Sequence, residues 1–371
     1  MAESKRLVDL VQANIDGFLD ARGPELARIA PELSPFIEFS RDFLGGGKRF
    51  RALFCYWGWQ SVAANDLFAG DETKSSNELQ SVVLAATALE IFHAAALVHD
   101  DIMDNSDTRR GRPAAHKRFE ELHRESNWLG TAAPFGSSSA LLLGDLLLSW
   151  SDEMFSDGLQ RLGNLKARVA ARTEFNLMRT EVTVGQYLDI LEESAWARQP
   201  EPEQLARATR VITYKSAKYS IEAPLAIGAS LGGANATQLE ALRGFGLPLG
   251  IAFQLRDDLL GVFGDPQVTG KPSGDDLREG KRTVLIALAR ERMPSSARRL
   301  LDELLGDPDL SDLQVETLQQ TLRDSGAVDA VERMIADNNA RAIEAISSAP
   351  LSRSAREQLI ALADTATRRA S

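Results

Sequence analysis

Phe92-His93-Ala94-Ala95-Ala96-Leu97-Val98-His99-Asp100-Asp101-Ile102-Met103-Asp104 is the stretch on which the reading of this chain turns. Asp107, Arg109, Arg110, Gly111, Pro113 and His116 follow it. The apolar run predicts a buried helix. A helix brings Asp100 and Asp104 onto one face, because residues four apart are neighbours there. Like charges at that spacing repel, so a cation is expected between them. Magnesium suits the place, since it takes carboxylate oxygens and usually keeps waters and substrate phosphates in its shell. The adjacent arginines fit the same chemistry, because a guanidinium fork binds phosphate oxygens two at a time. A solvated acidic helix end followed by a basic loop is the plain alternative, and this stretch alone does not choose between the two.

A second stretch does. Phe253-Gln254-Leu255-Arg256-Asp257-Asp258 also closes an apolar helical run, and Lys271, Asp275, Asp276, Lys281 and Arg282 follow. Two acidic helix ends trailed by basic residues, with Gly47-Lys48-Arg49-Phe50-Arg51 before them, resemble the trans-isoprenyl diphosphate synthases, or polyprenyl synthetase family. Within it the chain looks most like a geranylgeranyl diphosphate synthase. The resemblance keeps the family's order from about residue 45 to residue 283.

The composition agrees with a large helical core. The chain has 371 residues, 44% of them hydrophobic and 26% charged. A net charge of −11 argues against a nucleic-acid partner and against broad attraction to an anionic membrane surface. It does not exclude an anionic diphosphate, which local basic clusters and metal ions would hold. Cys55 is the single cysteine, so no disulfide closes within the chain, in keeping with a reducing cytosol. It lies in an apolar segment and reads as a packing residue. The N-terminal residues lack the apolar core of a signal peptide. No apolar run reaches the roughly 18 residues of a membrane span. A cytoplasmic protein without a transmembrane segment is therefore expected.

Along the chain, Leu7, Leu10, Val11, Ile15 and Phe18 recur at helical spacing, and Gly23-Pro24 predicts the end of that first helix. Gly45-Gly46-Gly47 predicts a turn into a helix start, an end whose free N–H groups favour anions. Residues 70 to 77 and 126 to 139 read as loops, the second from Gly130, Pro134, Gly136 and its serines. A long helix is expected over about 165 to 195, containing Gly185-Gln186-Tyr187-Leu188-Asp189. That segment resembles a family signature, and a buried polar pair bridging helices explains it equally well. Tyr214-Lys215-Ser216 interrupts the next helical pattern, and Thr237-x-x-Glu240 suggests a capping box after Gly232-Gly233. Residues 264 to 281 are highly charged and punctuated by glycine and proline, which suits a lid. Strand-like alternation is almost absent. The expected fold is all-α: a single domain over residues 1–371, a helical bundle around a deep central cavity.

The resemblance implies that an allylic diphosphate ionises, isopentenyl diphosphate attacks the allylic cation, and a proton leaves. It implies Mg2+, three ions per site, with Asp100, Asp104 and Asp257 as ligands and Asp101 and Asp258 in support. Arg109, Lys215, Gln254, Lys271 and Lys281 would hold the allylic diphosphate. Lys48, Arg51, His93 and Arg110 would hold isopentenyl diphosphate, and a homodimer is expected. His99 and His116 fit the pattern without an assigned role, and His123 has no motif behind it. The second motif departs from the family at Gly261, where many members carry a third aspartate. Weaker metal binding on that side is the expected consequence.

Product length follows the first helix backward from Asp100. Ala88, Phe92 and Ala95 form a stripe of i, i+4, i+7 spacing. Ala95, five residues before the motif, leaves room where a bulky residue would favour a C15 product. Phe92 lies roughly 4.5 Å deeper at the helical rise and is the candidate floor. The expectation is all-trans geranylgeranyl diphosphate, C20, with a longer product if Phe92 is ordinary core. A terpene cyclase is the first rival, but it would carry an Asn/Ser/Glu-type second motif and lack a second diphosphate site. A non-catalytic partner subunit is the second rival, and such subunits tend to lose an aspartate motif.

Overall fold

The computed structural model describes residues 2–63, 72–109, 111–265 and 273–367. Arg110, Lys271 and residues 266–272 of the expected lid lie outside the described residues. The described residues are overwhelmingly helical, and the fold is all-α. They fall into two compact units. One comprises Met1–Ala171 with Gly228–Gly233, the other Arg172–Ile227 with Ala234–Ser371.

The first unit is built on α1 (Ala2–Ile29), α2 (Ser34–Leu44), α3 (Phe50–Ala63), α4 (Glu72–Met103), α5 (Ala115–Glu125) and α6 (Ala132–Gln160). A two-residue ladder, β1 (Thr108–Arg109) and β2 (Arg112–Pro113), follows α4, with Arg109 opposite Arg112. Helix α4 is the core of the unit. It packs lengthwise on α6: Gly158 sits against the Ser81 carbonyl, the Ser151 hydroxyl donates to the Ala88 carbonyl at 2.7 Å, and Gly144 lies beneath the His99 ring. By the helical period, Phe92 and Ala95 fall on the same face as Ser81, Ala88 and His99. Ala88, Phe92 and Ala95 are all buried.

Two helical stretches, Ser76–Met103 and Ala132–Gln160, are long and apolar enough to cross a membrane by length and composition alone. The first is 83% buried over its apolar window, as a core helix is. The second is only 28% buried and leaves Leu141 and Leu142 exposed.

Helix α7 (Leu165–Ala195) leads into the second unit. There follow α8 (Gln204–Val211), a π-helix (Ile212–Glu222), α9 (Ala223–Leu231) and α10 (Ala236–Phe263). Then come α11 (Asp275–Glu279), α12 (Val284–Arg292), α13 (Ser295–Leu304), α14 (Asp312–Asp324), α15 (Ala327–Ser347) and α16 (Arg353–Thr367). Leu255, Leu259 and Val262 of α10 bury against Leu285 and Leu288 of α12, Leu318 and Leu322 of α14, and Val331 and Ile335 of α15. That cluster holds the end of α10, and so Asp257 and Asp258, in a fixed frame.

Several expected boundaries move. Helix α1 continues through Pro24 to Ile29. An interior proline loses its N–H bond and crowds the preceding turn, and Arg22 anchors that turn to Glu153 and Glu25. Helix α4 begins at Glu72, inside the expected 70–77 loop. Helix α6 starts at Ala132, so most of the expected 126–139 loop is helical. Pro134 falls in a first turn, where N–H groups have no intrahelical partner. Gly136 packs against the His116 carbonyl. The capping box of α10 is Asn235 with Gln238, two residues earlier than expected, both reciprocal bonds being 3.0 Å. The expected break at Tyr214-Lys215-Ser216 is the π-helix.

Candidate active site

In the first unit, Asp100 and Asp104 lie one turn apart at the end of α4, joined by the helical bond from the Asp104 N–H to the Asp100 carbonyl at 2.8 Å. Asp101, between them, points inward and is fully buried. The β1–β2 hairpin folds Arg109 back over the motif. Its Nε donates to Asp101 Oδ1 at 2.8 Å, and Nη2 reaches Asp100 Oδ2 at 3.4 Å. Asp101 is thus buried and bound by Arg109, and Asp100 is the more accessible carboxylate.

The start of α3 is built beside α4. Gly46 and Gly47 adopt left-handed backbone with φ of 68° and 91°, and Arg49 follows at 51°, an uncommon value for a side chain this large. Burial of Arg49 holds that conformation. Its guanidinium donates to Glu90 at 3.2 Å, to Gln12 at 2.7 Å and to the Leu44 carbonyl. Glu90 also accepts the Ala52 N–H at 3.2 Å, fixing the first turn of α3 on α4. Lys48 is exposed just before this turn, while Arg51 on α3 and His93 on α4 are half-buried. A cavity of ≈ 460 Å³ in this unit is lined by Gly45, Gly46, Leu97, Arg109, Arg112 and Arg118, among others. Arg49 and Glu90 are positioning residues that sequence reasoning missed. The only signal was the placing of Arg49 between Lys48 and Arg51.

The second unit gathers its charges around Asp189 and Asp258. Lys215 rides on the π-helix, whose wider turn closes with the Ala223 N–H on the Lys218 carbonyl. Such irregular turns recur at functional sites. Gly185 of α7 admits that backbone closely: a Cβ there would lie 2.5 Å from the Lys215 nitrogen. One turn on, Asp189 accepts from Lys215 Nζ at 2.5 Å, and Lys281 Nζ lies 3.6 Å from the same oxygen and 3.1 Å from Glu193. Asp189 therefore joins two of the expected diphosphate ligands. The Gly185–Asp189 segment carried that signal, left open between a bridging pair and a direct role.

On α10, Gln254 Nε2 donates to Asp258 Oδ1 at 2.8 Å. Asp258 is buried, and its Oδ2 has no hydrogen-bond partner among the described residues. Burial pushes its carboxyl well above the usual carboxylate range. Gln254 draws it back, and the charges of Asp276, Asp257 and Asp189 push it further up. A carboxyl so buried is held in its protonated form, and a cation beside it would favour the ionised one. The oxygen donors on both helix ends suit a hard ion such as magnesium. Among the described residues no three His, Cys, Asp or Glu gather to hold a metal alone. That composition fits an ion which completes its shell with waters and substrate phosphates.

The histidines without an assigned role make local contacts. His99 sits 3.2 Å from the Leu141 carbonyl, and His123 packs against Trp128 and Phe135. Burial, then Lys117, pull His116 below its usual range.

A model of the polyprenyl synthetase family matches residues 36–322. The chain belongs to the polyprenyl synthetase family. It is a prenyltransferase by that membership. The geranylgeranyl diphosphate synthase of Methanosarcina mazei is 31% identical over 335 residues, covering 90% of this chain and 86% of that one. The geranylfarnesyl diphosphate synthase of Aeropyrum pernix is 32% identical over 288 residues, covering 77% and 79%. Among solved structures, a geranylgeranyl pyrophosphate synthase from Corynebacterium glutamicum, complexed with isoprenyl diphosphate and magnesium, matches with a TM-score of 0.90. It shares 37% identity and covers 98% of this chain and 99% of its own.

Proposed function

We propose that this polyprenyl synthetase condenses isopentenyl diphosphate with dimethylallyl, geranyl or farnesyl diphosphate to give all-trans geranylgeranyl diphosphate, C20. The observation that carries the reading is the likeness, along 98% of the chain, to the magnesium-bound geranylgeranyl pyrophosphate synthase of Corynebacterium glutamicum. Ala95 and Phe92, an open position followed by a large one on α4, support the same length. The geranylfarnesyl synthase relatives favour C25 as the second reading.

Asp100, Asp104 and Asp257 hold Mg2+, three ions in each site, with Asp101 and Asp258 in support. When bound, magnesium supplies Lewis-acid stabilisation of the leaving diphosphate oxygens. Arg109, Lys215, Gln254, Lys271 and Lys281 bind the allylic diphosphate. Asp189 orients Lys215 and Lys281 before that anion arrives. Lys48, Arg51, His93 and Arg110 bind isopentenyl diphosphate, with Arg49 and Glu90 fixing the turn that carries them. No side-chain nucleophile is needed, and the departing diphosphate accepts the proton. The family match runs across both units, which supports their acting as one catalytic domain. The protein works in the cytoplasm as a homodimer, and the exposed apolar stripe of α6 is the face offered to the second copy.

Product analysis with each allylic primer in turn tests the reading. The same C20 endpoint from all three primers is the expected result. A dominant C25 endpoint would transfer the assignment to geranylfarnesyl diphosphate.

A further inference from the structure

The π-helix runs for 11 residues, Ile212–Glu222, whereas such wide turns mostly occur singly inside α-helices. Three glycines press on its backbone. A Cβ at Gly185 of α7 would lie 2.5 Å from the Lys215 nitrogen. One at Gly250 of α10 would lie 2.4 Å from the Ala217 carbonyl oxygen, and one at Gly246 would lie 2.7 Å from the Glu222 Cα. All three glycines sit inside α-helices, and none has left-handed backbone. Glycine inside a helix is destabilising relative to alanine. The close approach of the π-helix is the reason for it here. Gly246 and Gly250 share one face of α10, and the next residue at that spacing is Gln254.

These contacts set how near the π-helix comes, not how far it slides or turns. Two lysines set that. Glu181, Gly185 and Asp189 form a stripe on α7 at four-residue spacing. On one side of Gly185, Lys215 Nζ lies 2.5 Å from Asp189 Oδ2, and on the other, Lys218 Nζ lies 2.5 Å from Glu181 Oε1. The two carboxylates stand on α-carbons roughly 12 Å apart along α7 at the helical rise. The two lysines are neighbours on the π-helix, at positions 215 and 218. Their side chains therefore splay in opposite directions along α7 and straddle Gly185. Sliding the π-helix toward one carboxylate stretches the other pair. Lys218 also holds its ammonium over the ring of Tyr214, 5.1 Å from the centroid, and Tyr214 precedes Lys215. The Lys218 and Glu181 side chains are 20% and 18% exposed, so solvent screens their pair weakly. Asp189 loses its hold when a diphosphate takes Lys215. Glu181 keeps its hold, because Lys218 binds no substrate group in the reading above.

We infer that Lys218 is a positioning residue for the reaction: its ion pair with Glu181 fixes the π-helix on α7 and so aims Lys215 at the allylic diphosphate. This role rests on the binding of that diphosphate by Lys215, as proposed above.

Steady-state kinetics of the full-length protein test it, with farnesyl diphosphate varied at saturating isopentenyl diphosphate and then the reverse. Lys218→Met and Glu181→Gln each keep the length of the side chain and remove one charge of the pair. Each should lower kcat/KM for farnesyl diphosphate roughly tenfold to a hundredfold, the cost of misplacing a binding group by about 1 Å. KM for isopentenyl diphosphate should stay at its wild-type value. The two substitutions combined should lose no more than either alone, because both break the same pair. Lys218→Arg keeps the charge and should retain most of the activity. Wild-type kinetics in Lys218→Met overturn the inference, and so does Lys218→Arg as impaired as Lys218→Met. A loss shared equally by the two substrates also overturns it, since that is what a destabilised fold would give. Lys215→Ala, measured alongside, separates this role from the reading beneath it. If Lys215→Ala leaves kcat/KM for farnesyl diphosphate unchanged, the reading of Lys215 fails and the role of Lys218 fails with it. If Lys215→Ala lowers it and Lys218→Met does not, the role of Lys218 alone fails.

Discussion

At the scale of single residues, the site is a set of charges already paired within each unit. Arg109 lies on Asp101 and Asp100, and Lys215 on Asp189. A diphosphate bound as proposed above would exchange partners with these groups, so little new charge would have to be ordered. Asp100→Ala or Asp257→Ala should lower turnover by about 10²–10³-fold or more, while the fold survives. Steady-state rates at limiting magnesium check this, and near-normal turnover in either variant would remove that residue as a ligand. The two diphosphate sites should separate kinetically. Lys48→Ala or Arg51→Ala should raise KM for isopentenyl diphosphate more than for the primer. Lys215→Ala should do the reverse and also lower kcat. Equal effects on both substrates would count against the assignment. The two acidic helix ends and the basic residues around them were legible in the sequence, because Asp, Lys and Arg recur there at fixed spacings. Asp189 was left open between two roles and Arg49 was missed, since what they touch lies far away in the chain: Lys215, Lys281 and Glu90.

At the scale of elements, the π-helix and the α4–α6 pair carry the specific claims. The π-helix ends at Glu222, buried against Arg243 at 3.0 Å, with its second oxygen unpartnered among the described residues. Burial raises the Glu222 carboxyl above its usual range despite the pull of Arg243 and Lys218. A raised folded value means that its stabilising proton is fully present below the unfolded value, about pH 4, and is lost as pH rises through the folded value. Glu222→Gln keeps an acceptor for Arg243 without the charge. It should melt with wild type near pH 4 and higher than wild type at pH 7, by roughly 2–4 °C if ~1 kcal/mol is recovered. A gap that closes as pH rises would contradict this. On α4, the buried helix and its acidic end were legible in the sequence. The expected loop over 126–139 was mostly wrong, because Gly136 reads as a loop signal although it admits a packed partner. Ala88, Phe92 and Ala95 face α6, whereas His93, Ala96, Leu97 and Asp100 remain partly accessible. If the product runs between α4 and α6, Phe92→Ala should lengthen it beyond C20 and Ala95→Phe should shorten it to C15. Unchanged product lengths in both variants would place the chain along the accessible stripe instead.

At the scale of the whole molecule, the all-α character was legible because helical periodicity repeats from the first residues to the last. The division into two compact units was not, because α7 and α9 each run from one unit into the other without a break in sequence pattern. The family match crosses the same division, and the acidic motifs lie one in each unit. The central claim is therefore that both motifs serve one reaction, magnesium-dependent elongation. The most direct measurement is incubation of the full-length protein with farnesyl diphosphate and radiolabelled isopentenyl diphosphate, with and without magnesium, followed by separation of the products. The account predicts a labelled C20 diphosphate that forms only with magnesium. An unlabelled cyclic hydrocarbon made from farnesyl diphosphate, or no consumption of either substrate, would contradict it.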